Sequence, residues 1–184
     1  MPKPILAAVS AAALTLAAAG AAAQSTSGQD LTPEGPGAYL SVAGAHDLFS
    51  IRSAELALAK ARRPEVRALA ETMLAEHRDA AERLAGAARE IGLERLLPPA
   101  MMPMHWDMLR DLDRASASRF DDVYLDRQVD AHEVAVELHR HFAANGAGER
   151  LKGLAATSRP RPPPPRRGPA RSAPRAARGW PAST

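Results

Sequence analysis

Two histidines, His77 and His132, carry the most chemical potential in this sequence, because each falls on the apolar stripe of a long predicted helix. One stripe reads Val66, Ala70, Met73, His77, Ala80, Leu84, Ala87, Ile91. The other reads Tyr124, Gln128, Ala131/His132, Ala135, Leu138, Phe142. An imidazole on a buried seam must find a hydrogen-bond partner, bind a metal ion, or cost stability. Glu55, on the helix before His77, adds a carboxylate that facing helices of a bundle can bring to the same place. Imidazole with carboxylate suits zinc, iron or copper. The Glu-x-x-His pattern of carboxylate-bridged di-metal bundles is missing, since Leu74 and Val129 occupy the glutamate positions. The structural alternative is that both histidines pair with Glu, Gln or backbone groups inside the bundle.

Other candidates carry less. Glu76 and Glu133 adjoin the histidines, but sequence neighbours point about 100° apart on a helix, so both are expected in solvent. His139 shares the face of His132 and His141 does not; His139 is expected at an interface. Tyr124 and Gln128 are expected to pair across the core, His77 being within reach, and Asp121 to favour the dipole at its helix start. The run Met101-Met102-Pro103-Met104-His105 offers thioether and imidazole ligands suited to Cu(I), against the common use of methionine as a gap filler. No Ser-His-Asp spacing, phosphate-binding glycine loop or paired Cys motif is present, so no catalytic residue and no organic cofactor is expected.

The elements that must position these residues are helical. The composition is rich in Ala and Leu, poor in aromatics, and lacks strand-like alternation. Helices are predicted over 38–61, with Leu48, Ile51, Glu55 and Leu58 along one track, and over 64–91, opened by Pro64 and closed by Gly92. A short helix over 104–115 buries Trp106, Leu109 and Leu112. A long one over 119–144, capped by Ser116 or Ser118, ends at Asn145-Gly146, and a stub follows over 148–157.

Residues 1–23 read as a secretory signal peptide with cleavage near Ala23/Gln24, which implies a periplasmic or secreted protein. Residues 24–37 are a flexible leader, 38–157 the helical domain, and 158–184 a disordered Arg/Pro-rich tail with eight prolines and seven arginines. Without that tail the chain has 17 basic and 21 acidic residues, so the net charge of +3 belongs to the tail. The domain therefore has no nucleic-acid footprint, while the tail is suited to weak contact with anionic lipids.

Three segments carry a resemblance: Asp47-Leu48-Phe49-Ser50-Ile51-x-Ser53; Met73-Leu74-Ala75-Glu76-His77; and Phe120-Asp121-x-x-Tyr124-x-x-x-Gln128-x-x-x-His132-Glu133. They resemble the four-one-four-two domain-of-unknown-function family of exported bacterial proteins, often labelled outer membrane proteins, over about residues 39–156. The resemblance implies an all-α, ferritin-like up-down bundle with no defining enzymatic activity. Relatives continue past the stub into a last helix with another histidine, where this chain has its tail. The expected function is thus a non-catalytic envelope, stress or interaction module. The alternatives are a periplasmic metal-binding protein using His77, His132 and Glu55, or a membrane-surface binder acting through the tail. A bundle truncated at its last helix is expected to expose an apolar groove and to form homodimers through it. The abrupt change of composition at 158 is what a frameshift in a GC-rich gene produces. Resequencing the locus checks this: the alternative frame should encode an amphipathic helix, and its absence rules the frameshift out.

Overall fold

Proline opens three of the helices, at the one place where a missing N–H costs no hydrogen bond. The computed structural model describes residues 33–158; the expected signal segment, most of the leader and the tail from 159 lie outside them. Among the described residues the elements are α1 (Pro36–Lys60), α2 (Pro64–Glu90), a 3₁₀ turn (Glu94–Leu96), α3 (Pro103–Arg114), α4 (Phe120–Asn145) and α5 (Glu149–Thr157), with no strand. The first helix takes in the last two residues of the segment expected as leader.

Only Ala61-Arg62-Arg63 separate α1 from α2, so α2 folds back along α1. Helix α1 also packs on α3 and α4, and α5 covers α4 and the end of α2. A helix touched on three sides cannot be amphipathic, and this corrects the expected track. Leu48, Ile51, Glu55 and Leu58 are only half-buried, whereas His46, Ser50, Ser53 and Ala57 are enclosed. Small side chains allow that close approach: a Cβ on Gly44 would sit 2.7 Å from the ring of Pro98.

The α2 stripe is buried as expected except at Ala80, which is half-buried, and at its end, where Ile91 emerges. Gly92 closes this helix at φ +69°, a left-handed conformation that glycine adopts without steric cost. The α4 stripe is buried throughout, from Tyr124 to Phe142. Two local expectations are corrected. In α3 the buried side is His105, Met108 and Leu112, and Trp106 is 47% exposed, because the face toward α1 is rotated by one residue. Neither Ser116 nor Ser118 caps α4 with its side chain; their hydroxyls bond each other at 3.2 Å, and the Ser116 carbonyl accepts from Arg119 and Phe120.

Two large apolar clusters and a smaller one of Phe49, Met108 and Ala131 fill the bundle. One gathers Tyr39, Leu40, Ala43, Leu84, Ala87, Leu138, Phe142, Leu151 and Leu154. The other gathers Ala54, Ala57, Val66, Ala70, Met73, Leu112, Phe120 and Tyr124. In sequence, His46, His77 and His132 fall between these two sets on all three long helices, so they form a polar layer between two greasy ones.

Asp121 locks the far corner. Its carboxylate accepts the backbone N–H of Arg62 at 3.1 Å and of Arg63 at 2.9 Å, plus the Arg63 guanidinium at 3.3 Å. This joins the α1–α2 connection to the first turn of α4, a role beyond the dipole contact expected from sequence. Asp121→Ala strands two N–H groups, and should lower unfolding free energy by about 2–4 kcal/mol in urea denaturation. Asp121→Asn, which keeps one acceptor, should lose less; equal losses would show that the corner bonds carry no stability.

Candidate metal centre

The middle of α1 supplies His46 and Asp47, α2 supplies His77, α3 His105 and α4 His132, all of them buried. The rings of His46, His77 and His132 form a triangle. Their centroids are 5.4 Å (His46–His77), 5.7 Å (His77–His132) and 6.0 Å (His46–His132) apart. His105 lies 6.0 Å from His46 and stacks on Phe49 at 5.0 Å.

Hydrogen bonds orient two corners of the triangle. His77 Nδ1 lies 2.8 Å from Asp47 Oδ1, and His132 Nδ1 lies 2.8 Å from the Gln128 carbonyl. A carbonyl oxygen or carboxylate only accepts, so Nδ1 carries a proton in both, and the neutral His132 ring keeps its lone pair on Nε2. Oxygen acceptors behind Nδ1 are the usual second layer of a histidine metal site. His132 Nε2 is buried with no hydrogen-bond partner, and so is Nδ1 of both His46 and His105. His46 Nε2 reaches only Ser50 Oγ, at 3.5 Å. That serine is fully buried, so the pair is no accessible nucleophile.

Burial holds His46, His105 and His132 neutral. Desolvation drives His46 well below its ordinary value, reinforced by the neighbouring His77, His132, His105 and His139. It also takes His105 and His132 down to about 4. Burial raises the Asp47 carboxyl, and the hydrogen bond from His77 opposes this. Neutral imidazole is the ligating form.

Among the described residues no group of three or more His, Asp or Glu side chains stands in a ligating arrangement as the rings lie. With metal–nitrogen bonds of about 2 Å, three imidazoles on one tetrahedral ion hold their ring centres about 5 Å apart. The helices thus bring the three rings to within about 1 Å of that spacing.

The structure brings together only two of the three residues expected as ligands. Glu55 stands apart, 36% exposed, paired with Arg52 at 3.1 Å and Arg78 at 3.2 Å. Tyr124 and Gln128 do not reach His77: the Tyr124 hydroxyl has no partner, and Gln128 Nε2 donates to Ser53 Oγ at 2.9 Å. His139 is half-buried, with Nδ1 3.0 Å from the hydroxyl of Tyr39, and His141 lies 3.8 Å from Glu34. In the Met101–His105 run, Met102 joins the apolar core and His105 turns to the histidine layer, so the run does not act as one ligand set.

Sequence reasoning missed His46 and Asp47, and it set His105 in a methionine run instead of the histidine layer. The signal for His46 was present, since His46, Ser50, Ser53 and Ala57 follow helical spacing along one face.

A cavity of about 310 Å³ lies beside the triangle, lined by His46, His77, Asp47, Glu76, Asp79 and Arg83, with His139, Ala80, Thr157 and Ser158 around them. It sits where the chain leaves α5, and its lining carries one apolar side chain, Ala80.

The lowered histidine values set the pH response of the metal-free protein. Between about pH 6.5 and 4 the unfolded chain binds protons that the folded chain refuses, so stability is full above this window and falls as pH drops through it, by about 1.4 kcal/mol per pH unit for each ring. Asp47, shifted upward, offsets a small part of the loss at the acid end. Urea midpoints of chelator-treated protein should fall steadily from pH 7 to pH 5. A flat profile would mean that the rings take up protons while folded.

No curated protein and no solved structure matches this chain. The model of one family, described as Domain of unknown function (DUF4142), matches residues 9–161 and so takes in all five helices and the histidine layer. The chain is therefore a member of the DUF4142 family of domains of unknown function.

Proposed function

We propose that this protein binds one divalent transition-metal ion of the zinc, copper or nickel type through His46, His77 and His132, and that it is a binding protein and not an enzyme. The observation that carries this reading is the paired orientation of His77 and His132. Each donates from Nδ1 to an oxygen acceptor, which turns Nε2 away from that acceptor, and Nε2 of His132 has no partner in the core. Leaving ring nitrogens unpaired in a buried layer costs about 1–3 kcal/mol each. A bound cation removes that cost. Three neutral imidazoles favour late first-row ions over Mg²⁺ or Ca²⁺.

The setting is an exported one. The signal-like residues 1–23 support it, as does the lack among the described residues of any helix long and apolar enough to cross a membrane. A ferritin-like ancestry fits the helix order, and an envelope or stress role fits an exported metal binder.

Calorimetric titration of untagged, chelator-treated protein with Zn²⁺ should give one ion per chain. His46→Ala, His77→Ala and His132→Ala should each abolish tight binding, Asp47→Asn should weaken it by about 10–100-fold, and Glu55→Gln should leave it at the wild-type value. His132→Leu separates this from a purely structural role for the layer. It should lose the metal while the metal-free protein keeps or gains stability, because an apolar side chain of similar volume replaces an unpaired polar one. Absence of Zn²⁺, Co²⁺, Ni²⁺ and Cu²⁺ uptake by the wild-type protein would end the proposal.

A further inference from the structure

We infer that the histidine triangle exchanges its ion with solution through the cavity beside it, the carboxylates of Glu76 and Asp79 drawing hydrated divalent cations in, so that the protein carries metal instead of being locked by it. The inference rests on the metal-binding reading above. Its ground is the asymmetry of the layer. Along the three long helices the rings fall between the apolar cluster of Tyr39, Leu84 and Leu138 and that of Met73 and Tyr124. Phe49, which stacks on His105, forms a further cluster with Met108 and Ala131. The cavity reaches His46 and His77 but not the more deeply buried His132. His46 is itself 4% exposed, and its unpaired Nδ1 belongs to a ring on the cavity wall.

Size and charge both suit a hydrated cation. A volume of about 310 Å³ holds roughly ten waters at about 30 Å³ each, enough for an ion with its first hydration shell. The lining sets three carboxylates, Asp47, Glu76 and Asp79, against one guanidinium, Arg83. Asp47 is engaged by His77, and Asp79 pairs with Arg83 one turn along α2. Glu76 is exposed and has no ion-pair partner among the described residues. A cleft lined by one sign of charge raises the local concentration of the opposite ion and its association rate. A structural site is enclosed on all sides by protein ligands, whereas three protein ligands with an open side leave a position for water and exchange.

Stopped-flow mixing of the full chelator-treated protein with Co²⁺, followed by the visible absorption of the bound ion, tests this. At low ionic strength Glu76→Gln/Asp79→Asn should slow association by about three- to tenfold and change dissociation much less, with the difference shrinking near 1 M salt. The charge-matched Glu71→Gln/Glu82→Gln, on the same helix but outside the cavity lining, should associate like wild type. Ala80→Phe, which fills the cavity, should slow association and dissociation together while one ion per chain still binds. Wild-type association rates in both the Glu76/Asp79 and the Ala80 variants would overturn the access route and leave the metal site standing. So would equal slowing by the control pair. No Co²⁺ absorption in the wild-type protein would remove the metal reading and this inference with it.

Discussion

The structure turns on a layer of imidazoles buried across the middle of three helices. Apolar contacts above and below exclude the water that would otherwise solvate those rings, and desolvation is the largest cause that lowers His46 and His132. Hydrogen bonds inside the layer satisfy some ring nitrogens and leave others open. A layer kept only for stability would be paired throughout or replaced by leucine, since half-satisfied polar networks are worse than apolar ones. The stability forgone at these nitrogens is the physical argument behind the proposal of a bound ion.

Much of the remaining architecture serves to keep α1 enclosed. This helix contributes His46 and Asp47, and it contacts α2, α3 and α4. Alanine, glycine and serine along α1 let its neighbours come close enough for rings on separate helices to meet at 5.4–6.0 Å. Pro98 rests where Gly44 has no Cβ, which holds the α2–α3 connection against α1. Asp121 ties the opposite corner through two backbone N–H groups. Both contacts lie outside the histidine layer, yet each fixes the relative placement of helices that contribute to it.

How far the site could be read from the chain depended on periodicity. His77 and His132 interrupt clear apolar stripes, so their burial and mutual approach follow from helical spacing. His46 escaped because α1 is buried on several faces, and a helix without one apolar side gives no register. The half-exposed track through Leu48 and Ile51 looked as convincing as the enclosed one through His46 and Ser50. His105 escaped for a related reason. Three turns of helix with apolar residues at 106, 108, 109 and 112 allow two faces, and only packing on α1 selects the one carrying His105. Glu55 went the other way: it shared the expected track, and once that track proved to be the outer one, its carboxylate belonged to Arg52 and Arg78.

The sequence by itself determined the all-helical fold, the helix boundaries to within a residue or two, the stripes of α2 and α4 and the family. Each of these is written in local signals: prolines and glycines at helix ends, apolar spacing, and short motifs. Only the tertiary structure decided which face of α1 and α3 turns inward. It also decided that Asp47 backs His77, that Asp121 bonds a distant corner, and that a cavity with three carboxylates in its lining lies beside His46 and His77. Those outcomes depend on which surfaces meet, and contacts between residues 30 or 59 positions apart leave no mark in local composition.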